Sequence, residues 1–171
     1  MFLNSLKVTS IARKIDKHLR DRKFESFKKE PVAICILQCD AKAFKSEFIS
    51  DLKKAITNNP SLEVDVISYV EELPKDDNGK QALFSDKDIG WNGVLKSDVL
   101  KDFSQKRYDI LINYYDGERI SLQLLSAASQ AYFKVGISMN NQQLNDLIIQ
   151  TGIGKEQDFI RELKKYLKII K

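Results

Sequence analysis

The sequence predicts an α/β fold, a three-layer Rossmann-like or flavodoxin-like sandwich built on a mostly parallel sheet. Three observations carry this. Strand-like and helix-like patterns alternate along the chain, the signature of parallel strands joined by right-handed crossovers. VAICILQC, residues 32–39, is an unbroken apolar run of the kind a strand needs when both of its faces are covered. A chain of 171 residues is also long enough for one domain that buries roughly two-thirds of its unfolded surface.

Each element follows from its own pattern. Over residues 5–29, Val8, Ile11, Ile15 and Leu19 recur at spacings of three and four, with Arg13, Lys14, Lys17, Arg20, Arg22 and Lys23 around them, which predicts a basic amphipathic helix. Glu30-Pro31 is expected to end it, because proline has no N–H to donate and restricts the residue before it. The expected organisation is therefore an extra N-terminal helix, residues 1–30, packed on a single α/β domain, residues 31–171. The run 32–39 takes the centre of the sheet. Phe44, Phe48, Leu52 and Ala55 mark a helix that stops near Asn58-Asn59-Pro60. LEVDVISYV, 62–70, alternates as a strand nearer an edge does.

Residues 71–93 are irregular, and the Asn78-Gly79 pair is expected to turn a hairpin that extends the second strand. Leu95, Val99 and Phe103 then predict a short helix, YDILINYY (108–115) a third buried strand, and Leu122, Leu125, Ala128 and Tyr132 another helix. KVGISM, 134–139, is the fourth strand, and the first four are expected in the spatial order 2-1-3-4. DLIIQ, 146–150, makes a fifth. Only six residues separate Met139 from Asp146, fewer than the dozen a parallel crossover takes, so this strand is expected to run antiparallel beside the fourth. Phe159, Leu163, Leu167 and Ile170 stripe a closing helix rich in lysine.

Charge is unevenly distributed. Residues 1–30 hold nine Lys or Arg against four Asp or Glu, a net of +5, while the other 141 residues hold 19 against 20, a net of −1. This pattern suits an acidic protein or a membrane surface docking through Arg13, Lys14, Lys17 and Arg20. It argues against nucleic acid, since the rest of the chain offers no broad basic face. No apolar run approaches a bilayer crossing, and the opening MFLNSLK is too interrupted by Asn4, Ser5 and Lys7 for a secretory signal, so a cytoplasmic protein is expected. Cys35 and Cys39 would lie along one face of one strand rather than facing each other, and His18 is remote from both. Neither a disulfide nor a metal is expected, and nothing in the sequence calls for a cofactor.

In open α/β sheets, ligands bind beyond the carboxyl ends of the strands where the strand order reverses. The residues expected there are Asp40, the loop holding Trp91 and Asn92, Tyr114, Tyr115 and Asp116, and finally Ser138 and Asn140. For a sugar-like or nucleotide-like molecule, Asp40 or Asp116 would serve as acid or base and Trp91 would stack on a ring. The plainer roles are that Asp40 caps the next helix, the tyrosines pack, Asp116-Gly117 turns the chain and Trp91 pins its loop.

Several specific chemistries fail on their residues. No glycine follows the first strand, which reads QCDAKAF; GxxxxGK[ST] and GxSxG are both missing. TGIGKEQ, 151–157, could attract an anion at a helix start, but an antiparallel fifth strand would put it at the opposite edge from the crevice. A receiver arrangement would use Asp40, Asp116, Ser138 and Lys155. It lacks the second acid after the first strand, and Lys155 would follow a strand of the wrong direction.

The segment YDILINYYDGERISLQLLSAASQAYFKVGI resembles the N-terminal half of heptosyltransferase-type glycosyltransferases, where a "YD" strand precedes a small-residue helix and a short strand. FIRELKKYLKII is similar to the helix that closes that half-domain. The resemblance implies the fold; of the glycine-aspartate turn such enzymes place after the first strand, this chain keeps only Asp40. The whole chain also resembles an uncharacterised family of small bacterial proteins, known mainly from Bacteroidetes, which implies no activity. Taken together, these readings predict a non-enzymatic binding or interaction domain, the alternative being a small enzyme or ligand-binding protein related in fold to a glycosyltransferase half-domain.

Overall fold

A computed structural model of the chain describes residues 2–23, 25, 30–40, 44–75, 81–137 and 139–170. In chain order the elements are α1 (Phe2–Asp21), β1 (Ala33–Cys39), α2 (Ser46–Ile56), β2 (Glu63–Tyr69), β3 (Ala82–Phe84), α3 (Asp98–Gln105), β4 (Ile110–Tyr114), α4 (Ile120–Ala128), β5 (Phe133–Gly136), β6 (Leu147–Ile148) and α5 (Glu156–Ile170). Short 3-10 turns lie at Asp86–Asp88, Trp91–Gly93 and Met139–Leu144. The described strands form one sheet in the order β3-β2-β1-β4-β5-β6, every pair parallel.

β1 sits between β2 and β4, and six of its seven residues are buried, as an uninterrupted apolar run requires. Alternation along it feeds two cores. Ile34 and Ile36 join Ile110, Ile112 and Tyr114 beneath α2 and α5. Cys35 and Leu37 join Leu111 and Tyr115 beneath α1, α3 and α4. Cys35 is buried and Cys39 exposed, both as free thiols.

Two expectations about strand direction are corrected. The fifth expected strand, β6, runs parallel to β5, not antiparallel. β5 ends at Gly136, before the expected 139, so residues 137–146 are available for the crossing and coil tightly through Met139–Leu144. The absence of a side chain at Gly136 admits Asn145, whose amide group takes the space a Cβ would fill. Asp146 then locks the register, its backbone N–H donating to the Lys134 carbonyl at 2.8 Å and its carboxylate accepting the Lys134 N–H at 2.8 Å.

The hairpin expected over 71–93 is also overturned. β3 pairs parallel to β2, with Ile67 opposite Ala82, so the chain crosses back rather than turning tightly; the Asn78-Gly79 pair lies outside the described residues.

The N-terminal helix ends at Asp21, well before Pro31, so proline sets only an outer limit to it. Its apolar stripe packs inward, with Ile11 and Ile15 buried and Leu19 against the same core, while Val8 stays exposed. α1 lies on α4, whose Ser121, Leu122, Leu124, Leu125, Ser126 and Ala127 are all buried. A helix this apolar on every side needs cover on its outer face, and α1 supplies it.

Candidate functional site

The order reversal falls between β1 and β4, as expected, so the crevice is framed by the chain after Cys39 and after Tyr114. Asp40 holds a left-handed backbone (φ 75°), which aspartate tolerates better than most side chains, and its N–H donates to the Tyr69 carbonyl at 3.0 Å. It does not cap the next helix, because Lys45 is the residue before α2.

Tyr114 and Tyr115 diverge from adjacent positions. The Tyr114 ring packs among Phe44, Phe48 and Phe159 under α2 and α5. Tyr115 is driven into the opposite core beneath α4. Burial raises the pKa of both phenols, and Glu156 adds to the effect at Tyr114. Among the described residues neither hydroxyl makes a hydrogen bond of good geometry; that of Tyr114 sits beside the Gly154 backbone and that of Tyr115 beside Ser126. Asp116 is exposed and accepts from the Gly117 N–H at 2.8 Å, with Gly117 in the left-handed region at φ 95°. The tyrosines are therefore core residues and Asp116-Gly117 is a turn. Ser138 and the Asn140 side chain lie outside the described residues.

The structure places Trp91 and Asn92 beside α1. Their turn packs against α1: Ser10 Oγ donates to Asn92 Oδ1, and the αL residue Gly93 (φ 69°) lies so close that a Cβ would come 3.2 Å from Lys14 Cγ. The Trp91 side chain is 52% exposed.

Other groups occupy the strand-end edge. The Arg119 guanidinium lies 4.2 Å from the centre of the Tyr69 ring and donates to its hydroxyl at 3.0 Å, with Glu71 at 3.6 Å. Burial, and then Asp86, raise the Tyr69 pKa. Ser121, in the first turn of α4, donates to Asp86 Oδ1, and Lys7 Nζ donates to the Asp86 carbonyl at 3.2 Å. A cleft of about 360 Å³ opens beside them, lined by Asn4, Lys7, Asp86, Ile89 and Ser121. Asp86 eluded the sequence reading because it follows β3, a strand too short to have a period. Tyr69 and Arg119 carry a sequence signal, since Tyr69 stands near the end of a predicted strand and Arg119 two residues after a predicted turn.

The parallel direction of β6 brings the TGIGKEQ turn to the same edge as Asp40 and Asp116, correcting the expectation that it lies opposite. That removes one objection to a receiver arrangement. The missing second acid stands, because Cys39 and Asp40 end the strand.

The outer side of α1 has a different character. Arg13, Lys14, Lys17 and Arg20 are all exposed, and among the described residues none of them is in an ion pair. At the inner end of the helix, Arg22 is paired with Asp146 at 2.6 Å, and Lys134 is buried with its ammonium donating to the Ser126 carbonyl. Burial, with Arg22 nearby, lowers the Lys134 pKa to about 7. Among the described residues no cluster of His, Cys, Asp and Glu could hold a metal ion, and no helix is long and apolar enough to cross a membrane.

The model of a family of unknown function, DUF6913, matches residues 7–170, taking in α1 from its second turn as well as the whole sheet. The chain belongs to DUF6913. No curated protein and no solved structure matches this DUF6913 chain.

Proposed function

We propose that this DUF6913 chain is a non-enzymatic interaction domain that docks an anionic partner on the outer face of α1. One observation carries the reading: a single helix buries Ile11 and Ile15 while leaving Arg13, Lys14, Lys17 and Arg20 exposed and, among the described residues, without ion pairs. Arg107 and Lys106, by contrast, pair with acids, Arg107 with Glu25 at 2.5 Å and Lys106 with Asp65 at 2.8 Å. The burial of Tyr114 and Tyr115 supports the same reading, because both side chains belong to the cores and are withdrawn from the crevice. The "YD" pair of the heptosyltransferase-type likeness has structural work to do, which removes the need for transferase chemistry: Tyr108 donates to Asp65 at 2.8 Å, and Asp109 accepts from the Val32 and Ala33 N–H groups at 2.7 and 3.0 Å.

The test is binding of the full chain to fluorescent polyglutamate, read by anisotropy across salt. Expected is an affinity that falls as salt screens the exposed charges and that drops in the Arg13→Gln/Lys17→Gln variant without loss of folding. A salt-insensitive result, or one unchanged by the variant, contradicts the reading.

The second reading, a small-molecule site for a sugar-like or nucleotide-like ligand, is favoured by the cleft at Asp86 and Ser121. A ligand bound there raises the melting temperature of the folded chain, and Asp86→Asn abolishes that rise.

A further inference from the structure

We infer that α1 and the Trp91 turn form one surface for docking on a bilayer that carries anionic lipids. The inference rests on the reading of α1 as a docking face and names its partner.

Ser10 and Asn92 stand 82 residues apart in sequence, but the fold joins the basic helix to the tryptophan turn through their hydrogen bond and the close approach of Gly93 to Lys14. Ser10, Lys14 and Lys17 fall on the flank of α1 that meets the turn, at spacings of four and three. Leu6, Arg13 and Arg20, seven residues apart, form the next stripe outward. Leu6 is 45% exposed, and in the turn segment Trp91 and Val94 are 52% and 58% exposed. Three large apolar side chains thus stand in water among four cations that have no ion pairs among the described residues.

This composition fits a lipid interface better than the other anionic partners. α1 keeps Ile11 and Ile15 in the core, so the apolar contacts with the bilayer come from Leu6, Trp91 and Val94 beside the basic face, the indole suiting the headgroup level where it meets both apolar chains and polar headgroups. A nucleic acid would need cations spread along a track for its backbone, and residues 31–171 carry a net −1. An acidic protein would satisfy the cations but would need its own apolar pocket for each of Leu6, Trp91 and Val94. A bilayer receives all three without any matching relief. Each cation near an anionic membrane strengthens partition by about five-fold.

Trp91 is the only tryptophan in the chain, so its fluorescence reports on this surface alone. The full chain is titrated with phosphatidylcholine vesicles with and without phosphatidylserine. Expected with the serine lipid is a shift of emission to shorter wavelength and quenching by brominated acyl chains. Neither is expected with phosphatidylcholine alone. Arg13→Gln with Lys17→Gln should weaken binding by about twenty-five-fold while the melting curve stays in place. Trp91→Ser should weaken cosedimentation with the vesicles, showing that the indole contributes to binding as well as reporting it. Cosedimentation without any change in Trp91 emission would place binding on another face and overturn the inference. Binding to polyglutamate without binding to vesicles would overturn the bilayer but leave α1 as the docking face. Binding to neither would overturn both.

Discussion

Arg22, one residue beyond α1, grips Asp146, one residue before β6, in a two-pronged pair with Nη1–Oδ1 at 3.0 Å and Nη2–Oδ2 at 2.6 Å. The same carboxylate accepts the backbone N–H of Lys134 on β5. Asp146 therefore ties together the N-terminal helix and the last two strands. The side chains keep only 20% and 12% of their exposure, so the pair is poorly screened. Arg22→Ala leaves the carboxylate with its backbone donor and is expected to cost about 1–2 kcal/mol. Asp146→Ala strands Arg22, Lys134 and a backbone N–H, and is expected to cost about 3 kcal/mol or more. Urea denaturation of both variants checks the order; equal costs would mean that Asp146 acts only through Arg22.

Lys134 makes stability depend on pH. Its ammonium donates to the Ser126 carbonyl of α4, with Arg22, just beyond α1, and His18 of α1 as the neighbouring basic groups and Asp146 as an acid close by. The folded pKa, about 7, is depressed below the ordinary 10.5. Between those values the unfolded chain holds a proton that the folded chain lacks, so stability rises with pH at about 1.4 kcal/mol per unit. Below pH 7 both states are protonated and the full penalty remains. His18, its pKa lowered chiefly by burial and then by Lys14 and Lys134, adds a loss of the same sign as pH falls through the ordinary histidine range. Lys134→Met is expected to flatten the slope from pH 7 to 9.5 and to gain about 3 kcal/mol at pH 7, the relief of desolvation less one hydrogen bond to Ser126. Denaturant midpoints across that range decide it; an unchanged slope would refute the role of Lys134.

Asp109 fastens the start of the central strand. It is 1% exposed and accepts two backbone N–H groups, from Val32 and Ala33, at the point where β1 begins beside β4. Asp109→Ala leaves the buried Ala33 N–H and the partly buried Val32 N–H without that acceptor and is expected to cost about 2 kcal/mol. Asp109→Asn keeps an acceptor oxygen and should cost less. Hydrogen exchange at Val32 and Ala33 gives a local readout, accelerating in the alanine variant before the rest of the sheet.

How far the fold could be read depended on how much pattern each element carries. VAICILQC needed no periodicity, because burial on both faces makes every residue apolar, and its central place followed. β3 and β6, three and two residues long, have too few positions to show any period. The direction of β6 was misread because the crossing was counted from Met139, whereas the strand stops at Gly136 and the connection coils tightly. At the crevice, the sequence placed Tyr114 and Tyr115 at a strand end correctly but could not tell that neighbouring side chains on a strand point into opposite cores already roofed by helices. The place of the Trp91-Asn92 turn beside α1 was hidden for a reason of distance: Asn92 accepts from Ser10, and no local signal in GWNG points to a helix so far back in the chain.

α1 can be tested as part of the fold by removing it. A chain starting at Pro31 loses Ile11 and Ile15 from the core and uncovers α4, whose Leu122, Leu124 and Leu125 are each no more than 1% exposed in the intact protein. It also loses the Arg22–Asp146 pair, leaving that acid with backbone donors alone. Uncovered apolar surface costs about 25 cal/mol for each Å², against a total stability of about 5–15 kcal/mol for a typical domain, so losing one helix-sized contact threatens the whole. The expected outcome is a shortened chain that is aggregation-prone and melts at a lower temperature, whereas Arg13→Gln/Lys17→Gln in the full chain leaves the melting curve unchanged. That contrast separates the two sides of one helix, the inner holding the fold and the outer free to meet a partner. A chain from Pro31 with unchanged melting temperature and solubility would mean that α4 tolerates its exposed outer face and that Ile11 and Ile15 are dispensable to the core.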